Sequence, residues 1–94
     1  MHNFCAKEYA DYCVKYEGPG GTIKAYHQNG GPHDGLFIAK DNFGHGGSSF
    51  KLLEEASGNK LRLIADLNSE GIIMTGKHSS NLGELYKYFG KRIL

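Results

Sequence analysis

The sequence predicts an α+β domain, in which an N-terminal helix is followed by a twisted antiparallel sheet of four or five strands and a short C-terminal helix. Three observations predict it. Cys5, Tyr9, Tyr12, Cys13 and Tyr16 recur at helical spacings. From Thr22 the apolar period changes to two. From Asn81 a helical spacing returns, with Leu82, Leu85, Tyr86 and Phe89 on one face.

Taken in order, Asn3 is an N-cap for a helix over about residues 4–16, with Lys7, Asp11 and Lys15 forming i,i+4 charge pairs on the face opposite the apolar stripe. The run Glu17-Gly-Pro-Gly-Gly21 ends it. Thr22–His27 alternates as a half-buried strand, and Gln28–Gly35 is a loop leading into the apolar run Leu36–Ala39. A second loop, Lys40–Gly47, carries His45. Ser49–Glu54 and Lys60–Leu67 form a hairpin across Ala56-Ser-Gly-Asn59. In its second strand Leu61, Leu63, Ala65 and Leu67 point one way and Arg62 and Asp66 the other. Asn68–Gly71 turns the chain into Ile72–Thr75. Asn81 with Glu84 reads as a capping box for the last helix, and Gly90 as the residue just past its end, followed by Lys91 and Arg92.

At 94 residues the chain has room for one hydrophobic core, a single domain over 1–94. Its apolar fraction of 39% against 22% charged residues is that of a globular chain and not of a disordered one. No run reaches the roughly 18–20 apolar residues of a membrane helix, and the N-terminal residues carry no signal-peptide apolar region. Of 14 glycines, nine fall between Gly18 and Gly47, so the middle third is tightly turned. A formal charge of +1 excludes any identification of a nucleic-acid binder from composition alone. The charge is unevenly spread. Residues 1–59 hold five Lys against seven Asp/Glu, whereas residues 60–94 hold six Lys/Arg against three Asp/Glu, a net of −2 followed by +3. Cys5 and Cys13, eight apart in one helix, would lie about 12 Å apart, beyond the ~7 Å that a disulfide spans.

The densest polar cluster is Lys40-Asp-Asn-Phe-Gly-His-Gly-Gly-Ser-Ser-Phe-Lys51. Glycines on both sides of His45 let a substrate backbone approach its imidazole closely. Asp41, four residues earlier, is placed to orient it, and Lys51 leaves the strand on the face opposite Phe50 and Leu52. A histidine that titrates near neutrality, a lysine for phosphate charge and a carboxylate are what RNA cleavage without a metal requires, because the ribose 2′-hydroxyl is itself the nucleophile. His78, beside Lys77, is the second acid–base candidate. Lys77, Ser48, Phe43 and Arg62 are candidate substrate-binding residues. His27 and His33 flank the Gln28–Gly35 loop. None of the histidine spacings is HxH, HxxxH or HExxH, so neither a metal nor another cofactor is expected. Neither Gly18–Gly21 nor Gly44–Gly47 has the lysine and helix of a phosphate-binding loop.

The stretch His45–Leu53, then Gly58-Asn-Lys-Leu61, Ala65-Asp66, Gly71 and Thr75-Gly-Lys-His78, resembles the C-terminal toxin domains of bacterial polymorphic and contact-dependent growth-inhibition systems. It is most similar to their colicin-type, ribosome-cleaving ribonucleases, over about residues 41–94, and an N-terminal helix before an antiparallel sheet also fits barnase-like toxin ribonucleases. The resemblance implies a ribonuclease toxin domain acting on tRNA or rRNA rather than DNA. It also implies delivery from the cell surface or by secretion as part of a larger protein, action in the target cell's cytoplasm, and a cognate immunity protein. It puts His45 as general acid or base, Asp41 as its orienter and Lys51 as the stabiliser of phosphorane charge. Two features depart from the colicin-type pattern: Ser49 stands where an acidic base would follow the histidine, and the domain is far less basic.

Two other classes fit parts of the sequence. Cys5 in the first turn of a helix, with His45 and Asp66 after it, has the order of a papain-like amidase or deamidase. A non-catalytic module docking a protein partner through the glycine loops and basic end is the third.

Overall fold

A computed structural model describes residues 4–42, 47–75 and 81–94. It overturns the α+β expectation. Six strands, β1 (Ala10–Gly18), β2 (Gly21–Gln28), β3 (Phe37–Lys40), β4 (Phe50–Ala56), β5 (Lys60–Leu67) and β6 (Leu85–Ile93), form an antiparallel meander that closes on itself as a barrel. No α-helix occurs among the described residues. The helix expected over 4–16 is mostly β1, and that expected from Asn81 is mostly β6. A spacing of four fits a strand as well as a helix, because four is even. Tyr12 and Tyr16 therefore share a face of β1 with Val14 between them, and Tyr86 and Tyr88 do the same on β6. Tyr and Val also favour a pleated surface. The Glu17–Gly21 run, read as a helix stop, is a hairpin turn in which Gly18 pairs with Gly21 around Pro19-Gly20.

The middle of the chain follows the sequence reading closely, since β2, β3, β4 and β5 occupy the alternating stretches that predicted them. Ile72–Thr75 contributes only a bridge, Leu67 to Ile73, where a strand was expected. Gly90 does adopt a left-handed φ of 65°, but within β6, where the pairing with β1 slips between Cys13 and Lys15, and not at a helix end.

Side chains from all six strands meet inside the barrel: Val14 and Tyr16, Ala25, Phe37 and Ala39, Leu53, and Leu61 and Leu63 are buried, with Tyr86 and Tyr88 of β6 packed against them. Small barrels are filled in this way rather than hollow. A second cluster, Ile38, Leu52, Ala65 and Leu67, lies on the outer face of β3–β5. The N-terminal segment covers it with Phe4 and Ala6. Buried Gln28 fastens that cover by donating from Nε2 to the Ala6 carbonyl at 2.8 Å.

One irregularity decides which face β5 presents. Leu53 pairs with Leu63, yet Leu52 pairs with Ala65, so Ile64 is an extra residue with no partner on β4. Such a bulge reverses the alternation beyond it. Leu61 and Leu63 point into the barrel, whereas Ala65 and Leu67 belong to the outer cluster. The sequence expectation of one face for all four is thereby corrected. Asp66, opposite Lys51, turns inward with it.

Candidate functional site

Lys51 is paired on one side with Ala39 of β3 and on the other with Asp66 of β5. Residues directly opposite one another share a face, and Ala39 belongs to the interior cluster. Lys51 and Asp66 therefore line one end of the barrel interior. Asp41, just past β3, joins them. The base of its loop is tied by the Asp41 amide donating to Ser49 O at 2.9 Å, and the Ser49 amide donating to Leu67 O at 2.8 Å.

The Lys51 ammonium lies 2.8 Å from Asp66 Oδ1 and 3.3 Å from Asp41 Oδ2. Both carboxylates are deeply buried, at 3% side-chain exposure for Asp41 and 7% for Asp66, while Lys51 keeps 25%. Burial alone would pull the lysine pKa down. The hydrogen bond that Lys51 donates to Asp66 and the charges of Asp41 and Asp66 outweigh it, holding Lys51 protonated above its ordinary range. Tyr16, buried at the same end, has its phenol pushed up by burial first, with Tyr86 and the Asp41 charge adding. The arrangement is a fixed cation between two carboxylates, carrying a formal charge of −1. It can present N–H donors to an anionic oxygen and hold a carboxylate in position to accept a proton.

The structure thus brings together Asp41 and Lys51, both nominated from sequence, and adds Asp66, which the sequence reading had assigned only to the amidase alternative. The signal that could have found it is the unpaired Ile64, and a bulge is invisible without the partner strand. Ser48 is buried, and its hydroxyl donates to Phe50 O at 3.3 Å. Arg62 lies on the outer face, its Nη1 donating to Glu54 Oε2 at 2.7 Å, far in orientation from the inward-facing cluster. Phe50 packs edge-on against Phe4 in the outer cluster. His45, His78, Lys77 and Phe43 lie outside the described residues. Among the described residues no group of three or more His, Cys, Asp and Glu is disposed to hold a metal ion.

Cys5 precedes β1 in a turn and is exposed, so the helix terminus that was to activate its thiol is absent. Cys13 is buried, and the two thiols are free. No described helix is long and apolar enough to cross a membrane.

The opposite end of the barrel holds a second polar group that the sequence reading passed over. His27 Nδ1 lies 2.8 Å from Asp11 Oδ1, and its ring stacks on Tyr12 at 4.5 Å and 12°. The Lys91 ammonium sits over Tyr12, 4.2 Å from the ring centre. The Tyr88 hydroxyl donates to Glu55 at 2.8 Å. His27 closes the strand expected over Thr22–His27 and lies on β2, and the slip in β1 pairing between Ala10 and Tyr12 brings Asp11 to it.

Fold and site together define a small, closed, all-antiparallel barrel with a buried Asp–Lys–Asp cluster at one end. Comparison of the chain with protein-family models, curated proteins and solved structures finds no match.

Proposed function

We propose that this domain is a metal-independent endoribonuclease of the toxin type, cleaving tRNA or rRNA by attack of a ribose 2′-hydroxyl on the adjacent phosphorus. The observation that carries the reading is the meeting of Asp41 and Lys51, ten residues apart in sequence, in one cluster with Asp66. In this reading the P–O2′ bond forms and the P–O5′ bond breaks, leaving a 2′,3′-cyclic phosphate and a 5′-hydroxyl. His45 takes the 2′ proton or supplies the one on O5′, with His78 as its counterpart, and Asp41 orients His45. Lys51, already donating to two carboxylates, directs its third N–H to the phosphorane oxygen. Lys77, beside His78 in sequence, supplies further positive charge for phosphate binding. Delivery from a larger parent protein and neutralisation by an immunity protein belong to the same reading.

The test is incubation of purified protein with total RNA and ribosomes in EDTA, followed by mapping of the cleavage ends. We expect cyclic-phosphate ends, unaffected by Cys5→Ser and reduced by about 10²–10⁴-fold in His45→Ala, the usual contribution of a general acid or base. Intact tRNA and rRNA after prolonged incubation would refute it. Loss of activity in Cys5→Ser would move the assignment to thiol chemistry.

A further inference from the structure

The outer face of the β2–β1–β6–β5 seam carries an arrangement of charge that the barrel does not need. Lys15 of β1 stands directly opposite Lys24 of β2, and Lys87 of β6 directly opposite Lys60 of β5. Like charges in facing positions of a sheet repel, and a typical sheet alternates their signs. Here the pattern occurs twice on one surface. Arg92, opposite Cys13, extends it along β6. All five cations are exposed, and none takes part in an ion pair among the described residues. The nearest acid on that face of β1, Glu17, accepts a hydrogen bond from the Thr22 hydroxyl. Among these cations lie two exposed apolar side chains, Phe89 opposite Lys15 and Leu85 opposite Arg62, each 47% exposed.

We infer that this face, built on β6 with Lys15, Lys24, Lys60, Lys87, Arg92 and Phe89, binds the phosphate backbone of a single-stranded RNA, with Phe89 as a base-stacking platform. This deepens the ribonuclease reading and rests on it for the choice of RNA. Charge complementarity carries it, since a polyanion neutralises both lysine pairs at once. An exposed aromatic flanked by cations suits a strand whose bases are free to stack, in the manner of single-strand binding surfaces generally. β6 also points the right way. It begins at Leu85 beside Arg62, with Glu84 O accepting from the Leu63 amide, on the side of β5 that leads to Asp66. A strand running from Arg92 to Leu85 therefore heads toward the end of the barrel that holds Asp41, Lys51 and Asp66.

The experiment uses the full chain and a fluorescein-labelled, 2′-O-methylated uridine dodecamer, which binds as RNA does but has no 2′-hydroxyl to attack. Anisotropy titrations are run across a range of salt. We expect the slope of log K against log salt to fall by roughly 0.7 for each of Lys15→Glu, Lys24→Glu and Lys87→Glu, because each removes a phosphate contact with single-stranded nucleic acid. Phe89→Ala should weaken binding about tenfold with little change in slope. Lys60→Glu should both weaken binding and raise the melting temperature, since it turns a repulsive pair with Lys87 into an attractive one. That opposite movement of affinity and stability is not expected of a merely structural lysine. Unchanged affinity in the lysine variants overturns the inference. So does equal competition by poly-glutamate together with full affinity in Phe89→Ala, which would make the face a dock for an acidic protein. If the dodecamer binds as described while natural RNA stays intact, the face stands and the ribonuclease reading falls. If natural RNA is cut and the lysine variants cut it at the parent rate, the reverse holds.

Discussion

Replacing Lys51 by Met tests whether the Asp–Lys–Asp cluster is a buried unit. Methionine keeps the length and the alkyl packing of the side chain but removes the charge facing Asp41 and Asp66, whose exposures are 3% and 7%. Removing one partner of a buried ion pair costs about 3–5 kcal/mol, because a buried charge loses its counter-ion. Lys51 retains 25% exposure, so water partly screens the change and the low end, about 3 kcal/mol, applies. For a domain of this size that corresponds to a fall in melting temperature of roughly 12–24 °C. Urea denaturation at pH 7 measures it, with the slope on denaturant unchanged if only stability is affected. A second variant, Lys51→Met with Asp66→Asn, removes one of the two carboxylate charges and should recover part of the loss. A deficit below about 1 kcal/mol, the value of an exposed ion pair, would refute the reasoning.

Three further outcomes follow from the same geometry. Lys51 and Tyr16 both have raised pKa values in the folded chain, so the folded state holds more protons at high pH. Their contribution is complete below the ordinary values of about 10 and is lost as pH rises past them, and a urea midpoint that stays level above pH 10 would contradict it. Gly71→Ala places a Cβ against the ring of Phe4 at a φ of 79°, whereas Gly83→Ala meets none of the described residues within 4 Å at a φ of 90°. Both carry the strain of a left-handed alanine, about 1–2 kcal/mol, and thermal melts should show the larger loss in Gly71→Ala. In thiol labelling, Cys5 should react in the native protein and Cys13 only after unfolding, and two fast-reacting equivalents would disprove the burial of Cys13.

The strands β2 to β5 were legible because their neighbours in sequence are also their neighbours in space. Alternation in Thr22–His27 and Lys60–Leu67 has a single interpretation, and the Ala56–Asn59 turn connects adjacent strands. The termini were misread for the opposite reason. Tyr12, Tyr16, Leu85 and Phe89 satisfy an i,i+4 rule and an even-period rule equally, and the deciding partner of β1, apart from β2, is β6 at the far end of the chain. Tyr16 opposite Tyr88 and Cys13 opposite Arg92 are pairings that no local window contains. The candidate site divides along the same line. Asp41 and Lys51 could be proposed together from chemistry and closeness in sequence. Asp66 could be joined to them only when β4 and β5 were seen in register, with Ile64 left over.

The sequence by itself determined where the turns at Ala56–Asn59 and Asn68–Gly71 fall, and which polar residues lie between Lys40 and Lys51. These properties depend on composition and on interactions within a few residues. The tertiary structure alone decided that both ends are strands, that the sheet closes, and that Asp66 faces inward. Each of these rests on backbone pairing between distant segments, and in a sheet a shift of one residue exchanges the buried face for the exposed one. That is why the Ile64 bulge, and not the hydrophobic pattern of β5, brings Asp66 to Lys51.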